Sequence, residues 1–448
     1  MRILYRLYCF FGFLSSFFRR RVTWAAAFLG GTTIVAMISG LDTRHSILFR
    51  IYSILLILLL FGFLGGLVSR RGRLRVDRIL PRHGTVGVEL PYRVTITNLG
   101  GRLSGFVLRE WPQATFPNRD DFLNLREPME EKRNLFDRVF VYYRWMWLTE
   151  RARRARFEES TTLSLAKGKS AEAWMKLMPL KRGPLVLEKM RSLRLERLGL
   201  FKATRVVASK TQTLTILPKR YRLPELLIPG QNTFESEGEF SLATAGSSEE
   251  FLGLRDYQPG DPPRHLHWKS WAKTGQPMVK VYEDQTAPRF AVFLDVRQKE
   301  TSDESFEEAI SIAASFADPE AATPSGLSVL LAGGRVLQPA HTSNKEEESL
   351  YFLDQLARVS PDNDLDHLEK TAELLAPHLG SIGGCALILL HWEEAHRHAL
   401  ATLRGMGLDC RVLVVAEPGR TAEEAHLDKI SVINPRNTWK DLLNLDWN

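Results

Sequence analysis

The chain has 448 residues, among them 60 lysines and arginines, 52 aspartates and glutamates, and three cysteines. This length predicts two or three domains that each bury a core of their own. The cysteines exclude a disulfide framework and lack the spacing of a zinc site. The net charge of +8 is divided unevenly, with +10 in residues 1–78, +11 in 79–289 and −13 in 290–448, which indicates a charged partner or an intramolecular contact.

Two apolar runs near the N-terminus predict a membrane hairpin. Residues 22–39 and 51–68 are uncharged, and each run of 18 residues is just long enough to span hydrocarbon as a helix. We therefore predict a transmembrane hairpin over residues 22–69, with helices at 22–39 and 47–68. Residues 1–21 precede it and are predicted to form a helix that lies in the membrane interface.

Arginines around the two apolar runs predict the orientation of the hairpin. Three arginines precede the pair and four follow it, whereas only two lie at the connection. They are Arg19, Arg20 and Arg21 before the pair, Arg44 and Arg50 at the connection, and Arg70, Arg71, Arg73 and Arg75 after it. The positive-inside rule then places both termini and all soluble domains in the cytoplasm, in a multi-pass protein. A twin-arginine export signal is the alternative interpretation of the first triplet.

Residues 74–218 have the composition of short strands, and we predict an immunoglobulin-like β-sandwich there. Apolar and polar residues alternate in its first part, which ends in a turn at 98–101. The short segments 181–183 and 196–201 are interpreted as turns. Within this region, residues 128–160 are predicted to form a helical insert that begins with acidic residues and ends with clustered arginines.

The helical insert carries an apolar face with two interpretations. That face is formed by Leu135, Val139, Tyr143, Met146 and Trp147, and Tyr142, Trp145 and Leu148 widen the apolar surface beyond one stripe. In one interpretation it packs against the sandwich, and in the other it lies along an anionic lipid interface, to which aromatic rings next to arginines are suited.

Residues 219–288 are predicted to form a linker followed by a dense signature segment. Residues 255–275 read R-D-Y-Q-P-G-D-P-P-R-H-L-H-W-K-S-W-A-K-T-G. Asp261 has the character of an N-cap, Pro262 that of a first helical residue, and Gly275 that of a left-handed C-cap. The spacing predicts a helix of about twelve residues between these caps.

This signature resembles that of the bacterial family catalogued as domain of unknown function 58, whose pattern is roughly R-x-Y-x-x-G-D-x-x-R-x-I-x-W-x-x-(S/T)-A-(R/K). The matching residues are Arg255, Tyr257, Gly260, Asp261, Arg264, Leu266, Trp268, Trp271, Ala272 and Lys273. Leu266 and Trp271 depart from the family's usual isoleucine and small residue. The resemblance implies a protein of the bacterial inner membrane, a C-terminal von Willebrand factor A-like domain, and a partner among the MoxR-type AAA+ ATPases.

Residues 289–448 alternate buried apolar strands with amphipathic helices, which predicts an α/β domain with a mostly parallel sheet. Metal-binding domains of the A-like class carry D-x-S-x-S after the first strand. Here the corresponding residues are Asp295, Arg297 and Lys299. Two cations stand where oxygen ligands are needed, so we predict that no metal binds there.

No catalytic motif and no cofactor motif was found, and the leading hypothesis is a scaffold or adaptor that works with the ATPase in protein maturation or complex assembly. Its predicted partner site consists of Arg255, Tyr257, Gly260, Asp261, Arg264, His267, Trp268, Lys269 and Lys273. In the other interpretation, the same residues form a structural latch between the sandwich and the A-like domain. A hydrolase that uses Asp261, His265 or His267, and a lipid- or nucleic-acid-binding role of the basic middle region, are the remaining alternatives; no specific nucleic acid is expected as a partner.

Overall fold

The computed structural model describes thirteen segments of the chain. They are residues 1–39, 46–68, 73–111, 116–223, 251–257, 266–282, 289–297, 302–318, 327–332, 335–338, 345–362, 382–417 and 430–444. These segments form two compact units, Met1–Leu217 and Pro218–Asn448. Residues 224–250 of the predicted linker region and residues 363–381 of the predicted α/β domain lie outside the described residues.

Three helices begin the first unit. They are α1 (Arg2–Arg21), α2 (Trp24–Ser39) and α3 (Ser46–Val68). Helices α2 and α3 pack against each other. Within the described residues, only α3 is long and apolar enough to cross a membrane, over Phe49–Gly66, while α2 is apolar but has 16 residues. At 1.5 Å per residue α2 is about 24 Å long, so a hairpin that spans the membrane twice stays a prediction.

The first unit continues with eleven strands among its described residues. They are β1 (Leu74–Ile79), β2 (His83–Thr85), β3 (Leu90–Asn98), β4 (Leu103–Trp111), β5 (Ala155–Phe157), β6 (Leu163–Leu165), β7 (Ser170–Pro179), β8 (Gly183–Leu187), β9 (Lys189–Leu195), β10 (Lys202–Ser209) and β11 (Gln212–Leu217). They form an eight-stranded sheet in the order β5-β7-β3-β1-β10-β9-β4-β6 and a three-stranded sheet in the order β2-β11-β8. Both sheets contribute to one apolar core, so the predicted β region is confirmed, and its immunoglobulin-like kinship stays a prediction.

A buried ion pair crosses the interior of this β unit. The guanidinium of Arg78 on β1 donates to the Glu110 carboxylate on β4 at 2.6 and 2.9 Å, and both side chains are almost wholly buried. The Tyr92 hydroxyl on β3 donates to the same carboxylate at 3.1 Å. Burial, followed by the Glu110 charge, raises the pKa of Tyr92. Because β10 and β9 lie between β1 and β4, the pair can form only if the sheet curves around its core.

The helical insert differs from its prediction. It contains α4 (Arg119–Asn124), a 3-10 turn (Glu130–Lys132), α5 (Leu135–Phe140) and α6 (Tyr142–Arg151), and β5 follows. The chain breaks between α5 and α6 at Val141, whose φ of 49° lies in the left-handed region. A single helix over 128–160 is therefore wrong, because a β-branched residue in that conformation ends a regular helix.

The structure buries only part of the predicted apolar surface of the insert. Leu135, Val139 and Met146 are exposed, whereas Trp145 and Leu148 are buried. Trp145 packs against residues of α1: its ring centroid lies 5.9 Å from that of Tyr5 and 5.6 Å from that of Tyr8. The insert therefore packs against the N-terminal helix through this face, since the aromatic rings of α1 cover it.

The second unit begins with a two-stranded antiparallel sheet and continues with a six-stranded sheet. The first contains β12 (Phe251–Asp256) and β13 (Met278–Tyr282), with α7 (Trp268–Thr274) between them. The second contains β14 (Arg289–Leu294), β15 (Leu327–Ala332), β16 (Arg335–Leu337), β17 (Ile382–Leu389), β18 (Asp409–Val415) and β19 (Ser431–Ile433). Its order is β16-β15-β14-β17-β18-β19, and every pairing is parallel except that of β16.

The remaining helices are α8 (Asp303–Phe316), α9 (Lys345–Arg358), α10 (Glu394–Gly405) and α11 (Thr438–Leu443). The Ser302 hydroxyl accepts the Ser305 N–H, which is the cap that starts α8. Cys385 and Cys410 are buried partners on β17 and β18. A mostly parallel α/β sheet is therefore present as predicted, while its A-like kinship stays a prediction.

Replacing Glu110 by alanine should strongly destabilise the β unit. The change leaves the Arg78 guanidinium buried without its partner, at a cost of about 3–5 kcal/mol. Thermal denaturation of the detergent-solubilised protein measures the effect. The matched control is Glu159→Ala. Glu159 pairs at 3.4 Å with Arg109, the neighbour of Glu110 on β4, and both side chains are about half exposed. That change should cost about 1 kcal/mol or less. Equal shifts in the two variants would contradict the buried pair.

Candidate functional site

The order of the six-stranded sheet creates a switch point between β14 and β17. The chain passes from β14 to β15 on one side, and the later strands β17, β18 and β19 continue on the other side. In open α/β sheets, ligands bind in the crevice at the carboxyl ends of the two strands where the order reverses. Asp295 follows β14 directly and His391 follows β17 by two residues. This edge is the candidate site of the second unit.

Asp295 is the buried centre of this edge. Its Oδ1 accepts the backbone N–H of Arg297 at 2.9 Å and lies 3.5 Å from the Nε of the Arg297 guanidinium. Its Oδ2 is buried, has no hydrogen-bond partner among the described residues and lies 3.7 Å from His391 Nδ1. Within the same part of the chain, His391 Nδ1 makes no hydrogen bond. The Arg297 charge thus compensates one side of the carboxylate, and a histidine faces the other.

His396 closes the cluster from the first turn of α10. Its Nδ1 accepts the Glu393 N–H at 3.0 Å as part of a capping box. Burial lowers the pKa of His396 to about 3, and nearby His391 and Arg297 contribute to the same shift. The ring is therefore neutral and can accept at only one of its two nitrogens. Donors face both of them, because the Arg297 guanidinium lies 3.2 Å from Nε2.

Asp295, His391 and His396 could hold a metal ion, since one ligand atom of each lies within 4.8 Å of the others. Two histidines and a carboxylate suit a transition metal such as zinc. One feature opposes it: the Arg297 guanidinium is in contact with both Asp295 and His396. A metal cation must displace this positive charge, so the cluster suits a carboxylate that is compensated by Arg297.

Sequence analysis found Asp295 and Arg297 in this cluster and missed both histidines. Lys299, the third residue of the degenerate pattern, lies outside the described residues. His391 and His396 are far from Asp295 along the chain, and their one sequence signal is that His391 follows a buried strand. The pairing of β14 with β17 brings them together.

The signature segment lies on the two-stranded sheet and its connection. Arg255 is on β12, the Tyr257 N–H donates to Pro277 O at 2.9 Å, and His267 Nδ1 is 2.7 Å from the Ser270 hydroxyl oxygen. Gly260, Asp261, Arg264 and His265 lie outside the described residues. The hydrolase interpretation that uses Asp261 and His265 therefore stays a prediction, since the positions of these two side chains are not described.

The helix in this segment is shorter than predicted. Helix α7 begins at Trp268, because Leu266 forms a β-bridge with Val279 and the His267 N–H donates to Met278 O at 2.8 Å. Gly275 is left-handed, with a φ of 76°, and ends the helix as predicted. Pairing with β13 thus prevents a helix that starts near Asp261.

The two tryptophans of α7 lie against each other, and neither is buried. Trp268 is 63% exposed and stacks on Trp271 with ring centroids 5.2 Å apart. Lys269, Ala272 and Lys273 are exposed on the same helix. The described part of the signature therefore presents aromatic and cationic groups to solvent.

In the first unit, residues 196–201 form what we call the anchor loop. The Glu196 carboxylate accepts the N–H groups of Leu198, Leu200 and Phe201 at 2.6, 2.7 and 3.3 Å. The Thr23 hydroxyl donates to Gly199 O and Leu200 O, and Val22 pairs with Phe201. The interpretation of this segment as a turn is confirmed by the left-handed Gly199, and the turn also binds the N-terminal end of α2.

Comparison with known proteins finds a match to a family model and gives no activity. A family model described as "Protein of unknown function DUF58" matches residues 253–381, which supports the resemblance seen in the signature. A search of curated proteins found no match.

Three solved structures illustrate the structural comparison. The crystal structure of the CARDB domain of the PF1109 protein from Pyrococcus furiosus, in complex with di-metal ions, has 12% identity and a TM-score of 0.17, and the match covers 33% of this chain and 90% of that domain. The solution structure of the same domain has 13% identity and a TM-score of 0.14, with coverage of 31% and 95%. An inactive mutant of the GH20 exo β-N-acetylglucosaminidase from Vibrio harveyi has 8% identity and a TM-score of 0.15, with 81% of each chain covered. At these TM-scores none of the three carries an argument about this chain.

Replacing Arg297 by alanine should raise the affinity of the cluster for Zn²⁺. The change removes a positive charge 3.2 Å from His396 Nε2, and we expect at least about ten-fold tighter binding than in the parent protein. Isothermal titration calorimetry measures the affinity. The double variant Arg297→Ala/His391→Ala is the control, and equal zinc affinity in the single and double variants would show that the ion does not use this cluster.

The neutral state of His396 should make stability fall with acid. Its folded pKa is about 3, whereas an unfolded histidine titrates near about 6.5. The unfolded chain therefore binds the extra proton between these values. The contribution is fully present above about pH 6.5 and is lost as the pH falls toward about 3, by up to about 1.4 kcal/mol per pH unit.

Thermal denaturation with a chelator present, at about pH 7.5 and about pH 4.5, measures this loss. The variant His396→Asn keeps an oxygen for the Glu393 N–H and removes the titrating group. Its melting temperature should fall less than that of the parent protein over the same interval. A drop of equal size in both proteins would disprove the assignment.

Proposed function

We propose that this protein is a membrane-anchored adaptor that presents the exposed face of α7 to a cytoplasmic protein partner. The observation that carries the proposal is the stacked pair Trp268 and Trp271, flanked by exposed Lys269 and Lys273. An exposed tryptophan such as Trp268, next to cations, is typical of the residues that dominate the binding energy of protein interfaces.

The frame of α7 supports a binding role. Its ends are fixed by the Leu266–Val279 bridge and by the Gly275 cap, so the helix is held against β13. A surface that is rigid before binding loses less conformational entropy on association. The exposure of Trp268, at 63%, favours recognition over the alternative of a latch, because a latch buries its aromatic residues.

The membrane part of the proposal is supported by the N-terminal helices. Helices α2 and α3 expose large apolar side chains along their length, among them Phe28, Ile34, Ile54 and Phe61. Exposed apolar patches of this kind need a nonpolar environment. With the arginines outside the pair, the positive-inside rule places both units and both termini at the cytoplasmic face of the bacterial inner membrane.

The partner we propose is a MoxR-type AAA+ ATPase, and this choice comes from the family resemblance. The charge of the chain is compatible with an encounter between charged surfaces, because residues 290–448 carry −13. Opposite charges on two partners speed their association and make it sensitive to salt. The adaptor and the ATPase together would serve protein maturation or complex assembly, in which the ATPase supplies the energy.

The described switch point gives no support to a hydrolytic site, whereas His267 in the signature lies 2.7 Å from the Ser270 hydroxyl oxygen, so the hydrolase stays the second candidate there. Within the described residues of the switch point, His391 makes no hydrogen bond to a hydroxyl group, and Asp295 is charge-compensated by Arg297. An activated nucleophile would instead have a base within hydrogen-bond reach.

Affinity capture of the detergent-solubilised protein should recover an AAA+ ATPase, and Trp268→Ala should reduce the recovery about ten-fold or more, as loss of a central interface tryptophan does. The matched control is Trp174→Ala, since Trp174 on β7 is 66% exposed. Quantitative mass spectrometry at low and high salt provides the measurement. Recovery of no ATPase at low salt would contradict the partner, and equal recovery with the two variants would contradict the role of α7.

A further inference from the structure

Helix α1 carries a second apolar face besides the one that packs on the insert. The packed face contains Tyr5 and Tyr8, which lie against the aromatic core of the insert. At 3.6 residues per turn, the other face is a stripe about 120° wide that runs along the helix. Its members are large, apolar and exposed: Ile3, Leu7, Phe10, Phe11, Phe17 and Phe18. The helix is therefore covered by protein on one side only, within the described residues.

Helix α5 of the insert also exposes apolar side chains. None of its residues is buried, although four of its six side chains are large and apolar. Those four are exposed, and Leu135 reaches 78%; the others are Phe136, Val139 and Phe140. The rings of Phe136 and Phe140 pack on each other, with centroids 4.5 Å apart. A cluster of this kind needs a nonpolar environment from outside the chain.

The break at Val141 separates α5 from the core of the insert and places it beside α1. Val141 is buried with a φ of 49°, so the chain changes direction there and only α6 packs into the core. Next to the break, the Tyr8 hydroxyl on α1 donates to Phe140 O at 2.7 Å. The ring centroids of Tyr8 and Tyr142 are 6.0 Å apart. Helix α5 is thus fixed against α1 while its apolar side chains stay outside.

The connection from α1 to α2 identifies what covers these two surfaces. Only Val22 and Thr23 separate the helices, and α2 and α3 form the proposed membrane anchor. The end of α1 therefore lies at the surface of the bilayer that the next helix enters. The sequence of α1 contains arginines and no acid. A basic helix with one apolar stripe is typical of helices that lie in the interface of an anionic membrane.

We propose that α1 and α5 together form a surface that embeds in the cytoplasmic interface of the bilayer, beside the anchoring helices. The inference rests on the proposed membrane anchoring. Of the aromatic run that the sequence offers to lipid, Trp145 is buried, so the lipid contact moves to α5. Because α1 packs on the insert and Val22 pairs with Phe201 of the anchor loop, embedding holds the β unit close to the membrane surface.

Fluorescent labels on single cysteines test the proposal in the full chain, reconstituted in vesicles of phosphatidylcholine and phosphatidylglycerol. Phe136→Cys labels α5, and Phe10→Cys labels α1. The matched control is Trp174→Cys on β7, since the native side chains at 136 and 174 are 67% and 66% exposed. Ile57→Cys labels α3 and reports the anchoring. All variants carry Cys9→Ser, because the other two cysteines are buried.

Brominated lipids quench a label that lies in the bilayer, and iodide quenches a label that lies in water. The labels on α5 and α1 should be quenched by brominated lipid, at a depth of about 5–10 Å into the boundary between headgroups and acyl chains. The label on β7 should be quenched by iodide alone. Melting temperatures of the labelled variants verify that each of them folds.

Three outcomes would overturn the proposal. Quenching of the α5 label by iodide to the same extent as the β7 label would place α5 in water. Protection of the α5 label from both quenchers would show that a protein, such as a second copy of the chain, covers it. Equal quenching of the α5 and β7 labels by brominated lipid would show adhesion without a specific surface.

The label on α3 separates this inference from the proposed anchoring. If brominated lipid quenches the label at Ile57→Cys but not the label on α5, this inference alone is wrong. If it quenches neither label, the proposed anchoring is wrong as well.

Discussion

The arrangement of the first unit depends on the carboxylate of Glu196. Three backbone N–H groups converge on this one buried side chain and hold residues 196–201 in a closed turn. Hydrogen bonds to an ionised acceptor are stronger than those between neutral groups, so the turn is rigid. Its carbonyl groups then accept the Thr23 hydroxyl, and its Phe201 ring reaches α3. The position of the β unit on the apolar helices follows from this loop.

A different constraint organises the second unit. The reversal of strand order between β14 and β17 places Asp295 and His391 at one edge, and the capping box of α10 adds His396. A buried carboxylate needs a compensating charge and N–H donors, and Arg297 supplies the charge at 3.5 Å. The edge is therefore charge-balanced, whereas the chemistry left exposed to a partner lies on α7. The proposed functions of the two units differ for this reason: one meets lipid and the other meets protein.

The sequence predicted the type of most elements and erred where tertiary contacts compete with local signals. The mostly parallel α/β sheet and the cap at Gly275 were predicted correctly, because periodicity and a glycine cap are local properties. The helix expected to start near Asp261 starts instead at Trp268, since Leu266 pairs with Val279. The insert breaks at Val141, and its buried face carries Trp145, because aromatic rings of α1 cover that side. The residues that override the local signals, Val279 in one case and the aromatic residues of α1 in the other, are not adjacent in the chain to the segments they affect.

The sequence by itself determined the apolar N-terminal runs, the charge division of the chain, the β and α/β regions, and the family resemblance of the signature. These properties depend on composition, spacing and residues that are close along the chain. Only the tertiary structure decided that Glu110 pairs with Arg78, that two histidines face Asp295, and that Phe201 packs against α3. Such contacts depend on which strands and helices become neighbours. That choice is made by the packing of the whole core and is not encoded in any local pattern.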